Sequence, residues 1–260
     1  MFEHRSLEDD LEAVRETHAS DAVVLRSAGD FETLSPERAM QLGPFVESFE
    51  PLTYEDAWVP PDAPEVLGRL AGGDVTIGAP GDGSIAWTRQ THPPVVIEKP
   101  RTEGSPPDFV DFLVAEALVA VGLDVPEHFL GFFEGSYRDL DDAVPLGPGD
   151  TYQVAAALHD AWIGLQTRDV FETWPDEHPR LGEAWRDAGE RLQPRVSSLS
   201  KAVATGDTDL ADGIELACSG VKHGLDLPAP FDALDVATYR DRGAPYAVTW
   251  AEKVFDALDA

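Results

Sequence analysis

The sequence predicts an α+β protein that is predominantly α-helical, with a small three-stranded antiparallel meander in its N-terminal half and a helical C-terminal half. Three observations predict this fold class. Apolar residues recur at helical spacing through most of the chain after residue 107. Residues 74–99 instead contain β-branched runs separated by turns rich in Gly and Pro. The composition, 43% hydrophobic over 260 residues, supplies enough apolar side chains for a sizeable core.

The first 73 residues are predicted to form short elements separated by loops. Three predicted helices begin at Ser6, Ser35 and Asp62, whose side chains can accept a hydrogen bond from the first turn. A β-branched pair, Val23-Val24, favours a strand between the first two helices. The predicted elements are a helix over 6–19, a strand over 21–27, a helix over 35–49 that Gly43-Pro44 interrupts, and a helix over 62–70.

The predicted meander begins with Val75, Ile77 and Ala79, which alternate with polar or small residues. Two further apolar runs, 85–88 and 95–97, each follow a turn that contains Gly or Pro. Because these turns are short, we expect the three strands to pair in sequence as an antiparallel meander.

The rest of the chain is predicted to be helical. The segment 150–171 is apolar on almost every side, which is typical of a buried helix. Residues 135–149 are rich in Gly, Pro and Asp and are predicted to form a loop at the best candidate boundary. We expect one globular domain over 1–260, with an α+β part over 1–135 and an all-helical part over 150–260. The predicted helices are 109–122, 126–133, 150–171, 179–199, 207–223 and 235–258, the last of which is one helix or two with an interruption near Gly243 and Pro245.

The balance of charge indicates the solvent in which the protein works. Forty-nine acidic side chains oppose 19 basic ones, which gives a formal net charge of −30, and only four of the cations are lysines. Self-repulsion of this size opposes folding in dilute buffer. At about 1 M salt the Debye length falls to roughly 3 Å and the repulsion is largely screened. We interpret the chain as a cytoplasmic protein of a halophile, an organism with a salt-rich cytoplasm. The alternative is an ordinary acidic protein from a mesophile.

The charge and the termini also limit the classes of partner. An acidic surface repels nucleic acid and anionic membranes, so we expect neither as a partner. The N-terminus lacks a signal peptide, and the apolar stretch 109–123 is too short to span a bilayer. A single cysteine, Cys218, excludes an internal disulfide and fits a reducing cytoplasm. The absence of Asn excludes N-glycosylation and every mechanism that needs an Asn ligand.

The best candidate for a binding site is a group of cations within the predicted meander. Arg89, Lys99 and Arg101 lie within thirteen residues, with His92 between them, and Trp87 shares a strand face with Arg89. Guanidinium groups beside an indole can hold a phosphate, a carboxylate or a nucleobase. The alternative is that these cations pair with neighbouring carboxylates inside the fold. A small anionic ligand or a protein is the partner that this patch would fit.

Two residues outside the patch carry weaker signals. His159 lies on the buried helix and is either a general base or a hydrogen-bonded core histidine. No second histidine lies three or four residues away, so no metal site is indicated, and no cofactor follows from the sequence. Lys222 lies four residues after Cys218 and could activate the thiol, but Cys218 falls on an apolar stripe, which favours a small buried side chain.

The order of elements around the meander resembles the small lobe of protein-kinase-like folds. A Gly-rich turn, Gly78-Ala-Pro-Gly81-Asp-Gly83, joins two strands, a third strand ends at Lys99, and Glu116 lies on the next helix. In those folds the loop covers phosphates and the lysine pairs with the helix glutamate. The turn here is not G-x-G-x-x-G, and both H-R-D and D-F-G are absent.

Three segments carry a resemblance to a known family. They are Ala86-Trp-Thr-Arg-Gln-Thr-His-Pro-Pro-Val-Val, Phe109-Val-Asp-Phe-Leu-Val-Ala-Glu-Ala-Leu and His128-Phe-Leu-Gly-Phe-Phe. The chain resembles an uncharacterised haloarchaeal family, a domain of unknown function, which implies an organism class but no site. Two function classes therefore stay open. One is a non-enzymatic binding or interaction protein, and the other is an enzyme on a small anionic substrate with His159 or His92 as acid or base.

The charge predicts a rise in melting temperature with KCl. Screening removes the repulsion among carboxylates in the folded state, so the protein should melt at a higher temperature in molar KCl than in dilute buffer. Circular dichroism during heating measures the difference. Greater stability at low salt would contradict the interpretation.

Overall fold

In the computed structural model, which describes residues 1–123 and 125–259, the strands lie in the first 98 residues and helices make up most of the rest. Helix accounts for 58% of the chain, which confirms an α+β protein that is predominantly helical. The strands are β1 (Phe2–His4), β2 (Val23–Ser27), β3 (Ser48–Phe49), β4 (Ile85–Thr88), β5 (Thr91–His92) and β6 (Val95–Glu98).

Thirteen α-helices lie within the described residues. They are α1 (Asp9–His18), α2 (Pro36–Ala39), α3 (Glu65–Ala71), α4 (Pro107–Gly122), α5 (Phe129–Phe133), α6 (Ser136–Ala143), α7 (Pro148–Phe171), α8 (Trp174–Glu177), α9 (Pro179–Ser197), α10 (Leu199–Thr205), α11 (Leu210–Val221), α12 (Ala237–Arg242) and α13 (Ala244–Asp259). Ser35 caps α2 by accepting a hydrogen bond from the backbone N–H of Arg38, and Asp209 caps α11 through the N–H of Asp212.

The main sheet differs from the predicted meander. It has four strands in the order β1-β2-β6-β4, and β2 and β6 run parallel while the other two pairs are antiparallel. The prediction of a three-stranded antiparallel meander is therefore wrong. β4 and β6 do pair as expected, but β2 takes the place beside β6, far away in the sequence. Two parallel strands are joined by a long crossover connection, and the short turns of the sequence do not predict which distant strand will pair with β6.

The first strand of the predicted meander does not form. Val75 and Ile77 are buried in the core as their alternation predicts, but the backbone around them joins no sheet. The side-chain amide of Gln90 takes the place of a neighbouring strand, because its Oε1 accepts from the N–H of Thr76 at 3.1 Å and its Nε2 donates to the C=O of Thr76 at 2.6 Å. The N–H of Leu34 donates to the C=O of Ile77 at 2.9 Å. These hydrogen bonds satisfy backbone N–H and C=O groups of this segment without pairing to another strand.

The chain divides into two compact units. The first unit contains Met1–Tyr54, Glu65–Glu127 and Thr173–Ala184, and the second takes the rest of the described chain. This division does not follow the predicted boundary at 135–149, because each unit is assembled from separate stretches of sequence. The single domain over 1–260 stays a prediction.

The first unit is built around the four-stranded sheet. α4 packs against β4 and β6, and α1 packs against α4. The other sheet face, which includes Phe2, Leu25 and Ile97, is covered by a cluster that contains Phe31 and Leu34. The face that carries Phe2, Leu25 and Ile97 is therefore buried, whereas Glu3 and Arg26 on the other face stay exposed.

The second unit contains helices and connecting loops, and no strand among its described residues. α7 is buried as predicted and packs against α11 so closely that a Cβ on Gly164 would lie 3.0 Å from the side chain of Lys222. Residues 136–143 form α6 rather than a loop, because Tyr137 and Leu140 lie one turn apart and are both buried. No helix in the described part of the chain has the length and apolar character needed to cross a membrane.

Gly122 is the position where the packing of α1 and α4 leaves no room for a side chain. A Cβ there would lie 2.0 Å from the backbone oxygen of His18, and backbone cannot move aside as a flexible side chain can. We expect Gly122→Ala to lower the free energy of unfolding by about 1–3 kcal/mol. Gly68→Ala is the matched control, because nothing lies within 4 Å of its Cβ and it sits inside α3. It should raise stability by about 0.5–1 kcal/mol. Denaturant titration in molar KCl measures both, and equal midpoints would contradict the packing argument.

Candidate functional site

A buried arginine, Arg5, directly follows β1. Its side chain is 5% exposed, its Nε donates to Oε2 of Glu98 at 2.5 Å, and its Nη2 donates to Oδ1 of Asp111. The remaining nitrogen, Nη1, is buried and has no hydrogen-bond partner among the described residues. The guanidinium therefore holds two carboxylates and keeps one donor open, which costs free energy as long as no acceptor reaches it.

Glu98, the last residue of β6, accepts from three donors. Besides Arg5, the Nε of Arg26 donates to Oε2 at 3.2 Å and the Oγ1 of Thr102 donates to Oε1 at 3.0 Å. The strand register explains this convergence, because Arg26 lies opposite Glu98 on one side and opposite Glu3 on the other. Residues directly opposite each other share a sheet face. Glu3, Arg26 and Glu98 thus form a charged row across the sheet.

The carboxylate of Asp111, in α4, is shared by two arginines. Its Oδ1 accepts from Arg5, and its Oδ2 accepts from Nη1 of Arg180 at 2.6 Å. Arg180 also binds Asp10 of α1 at 2.6 Å and Asp108 at 2.8 Å. The hydrogen bond to Asp10 is the main cause that raises the pKa of Arg180. Burial acts to raise the pKa of Asp10, but Arg180 outweighs it and the pKa is lowered.

A cavity of about 470 Å³ lies in the first unit beside this row. It is also close to the first turn of α4, where the helix dipole favours anionic groups. Two of its carboxylates, on Glu3 and Glu103, have no hydrogen bond or ion pair to any described residue, and both residues are exposed. Its lining includes Glu3, Arg5, Arg26, Glu98, Glu103 and Val110.

Lys99 and Arg101, from the predicted patch, are engaged inside the fold. Lys99 is fully buried, its Nζ donates to Oδ2 of Asp82 at 2.9 Å, and it lies 4.8 Å from the ring centre of Phe31. Burial raises the pKa of Asp82, although Lys99 acts in the opposite direction. Arg101 binds Asp30 at 2.9 Å and donates to the C=O groups of Asp82 and Phe31 at 3.0 Å. Asp82 lies in the Gly-rich turn, so Lys99 binds that turn rather than a helix glutamate as in kinase-like folds.

Trp87 and Arg89 lie together, as strand alternation predicts, with the guanidinium 5.7 Å from the centre of the indole. The guanidinium also donates to the C=O of Leu123 at 2.9 Å and to that of Val125, after the end of α4. The guanidinium of Arg89 therefore supplies hydrogen-bond donors to backbone carbonyl groups at the end of α4. These partners differ from those of Lys99 and Arg101, so the two pairs are engaged at different places.

A buried carboxylate, Glu127, organises the backbone near Arg89. Its oxygens accept from the Oγ1 of Thr88 at 2.7 Å, the backbone N–H of Arg89 at 2.7 Å and the Nε2 of Gln90 at 2.8 Å. Burial raises the pKa of Glu127, and the three donors act in the opposite direction. All of these hydrogen bonds join Glu127 to other residues of the chain. Glu127 therefore positions the end of β4 and has no group left to bind a ligand.

The two histidines of the candidate site belong to different units. His92 is exposed on β5 in the first unit, whereas His159 is buried in the second unit with its ring 5.4 Å from that of Phe132. Another buried histidine, His128, caps α5 by accepting from the N–H of Leu130 at 3.1 Å. Burial lowers the pKa of His128 to about 3, and His159 acts in the same direction. His128 is therefore neutral at physiological pH.

The other sequence signals of the C-terminal half lead to structural contacts. Cys218 is buried, and burial raises the pKa of its thiol, so the prediction of an inert buried side chain is confirmed. Arg168 binds Asp235 at 2.8 Å, and Asp169 binds Arg240 at 2.8 Å. These pairs join α7 to α12 and to the residues just before it.

A second cavity, of about 480 Å³, lies between α6 and α13 in the second unit. Its charged lining consists of Asp139, Asp142 and Glu252. Within the described residues, no group of three His, Cys, Asp or Glu side chains is arranged to hold a metal ion. This cavity has no cationic group that could bind an anion.

Apart from Lys99, the charged residues that line the first cavity are not among the predicted site residues. Glu3 lies in a strand of only three residues and Arg5 directly follows it, and this stretch is too short for a periodic signal. Arg26 adjoins Val23-Val24, and Glu98 precedes Lys99, but only the parallel register of β2 and β6 brings them together. No local pattern in the sequence predicts that β2 pairs with β6.

Comparison with known families identifies the chain. A family model described as a family of unknown function, DUF7089, matches residues 1–258, and the chain belongs to this family. The resemblance to an uncharacterised family is thereby confirmed. Comparisons with curated proteins and with solved structures find no match.

The shared carboxylate of Asp111 should contribute strongly to stability. Asp111→Ala removes one partner from two arginines, of which Arg5 is buried, and we expect the free energy of unfolding to fall by about 3–5 kcal/mol. Asp187→Ala, which breaks an exposed pair with Arg191 at 3.4 Å, is the matched control and should cost less than about 1 kcal/mol. Denaturant titration in molar KCl compares them. A loss for Asp111→Ala no greater than that of the control would contradict the assignment.

Proposed function

We propose that this chain is a non-enzymatic binding protein of a salt-rich cytoplasm that holds a small ligand, through a carboxylate or phosphate group, in the cavity beside Arg5 and Arg26. The observation that carries the proposal is Arg26, which lines the cavity, is half exposed and has two terminal nitrogens without a partner among the described residues. The proposed site is therefore not the patch around Trp87 and Arg89.

Arg5 positions the carboxylate that holds Arg26. Its Nε donates to Oε2 of Glu98 at 2.5 Å, and the Nε of Arg26 donates to the same oxygen at 3.2 Å. Arg26 is thereby anchored at Nε while its terminal nitrogens keep no partner among the described residues.

Arg26 supplies the cation of the proposed site. Its side chain is 51% exposed, and of its three nitrogens only Nε is bound, to Glu98 at 3.2 Å. The two terminal nitrogens therefore have no partner among the described residues and can close over a ligand from the open side. A volume of about 470 Å³ lies within the usual range for small-molecule sites, roughly 300–1,000 Å³.

The lining of the cavity supports binding rather than catalysis. No histidine is among its lining residues, and two of its hydroxyl groups are already committed. Ser27 donates to the C=O of Gly29 at 2.7 Å, and Thr102 donates to Glu98 at 3.0 Å. The enzymatic alternative, with His159 or His92 as acid or base, therefore gains no support from this cavity.

The salt-rich cytoplasm is proposed from composition alone. A net charge of −30 and a content of four lysines favour an environment in which ions screen the carboxylates. A halophilic archaeal origin is part of the same proposal.

Calorimetric titration in molar KCl tests the proposed site with acetate and inorganic phosphate as probes. We expect saturable binding of at least one probe to the wild-type protein and about tenfold weaker binding to Arg26→Gln. Arg191→Gln is the matched control, since it removes the same charge from an exposed position in the second unit and should bind as the wild type does. Equal affinity of wild type and Arg26→Gln would overturn the proposed site.

A further inference from the structure

No further inference is drawn: the strongest candidate, the outer edge of the main sheet along the uncharged strand β4, carries nothing because nothing in the described part of the structure shows what covers it.

Discussion

The carboxylate of Asp111 is the constraint on which the first unit depends. It is nearly buried and accepts from two arginines that come from opposite ends of that unit's sequence, Arg5 and Arg180. Through them it joins the N-terminal strand and the segment Thr173–Ala184 to α4. Burying these charges is costly, and the hydrogen bonds offset that cost only while each oxygen keeps its donor. The packing of Trp174 against Phe112 supports the same connection with apolar contact.

The same network determines what the cavity offers. Because Arg5 and Thr102 hold the carboxylate of Glu98, that carboxylate is a fixed acceptor for the Nε of Arg26. Arg26 is half exposed and held by this one hydrogen bond, so its terminal nitrogens are the donors that a ligand would meet.

The helical part of the fold was accessible from sequence, because apolar spacing and capping residues are local signals. The sheet was only partly accessible, since the parallel pair of β2 and β6 and the bond from Gln90 to Thr76 depend on distant contacts. The candidate site was even less predictable from the sequence than the sheet. Lys99 and Arg101 were found as cations, but their partners Asp82 and Asp30 decide that they stabilise the fold. The arginine whose terminal nitrogens stay accessible, Arg26, looks ordinary in the sequence.

The interleaved path of the chain has a consequence for synthesis. The first unit is complete only when residues 173–184 have been added to a sheet that begins at residue 2, and the second unit draws on residues 55–64. Most of the chain must therefore be synthesised before either unit can fold completely. Until then, the apolar strands and α4 stay exposed, and a chaperone or rapid collapse has to protect them.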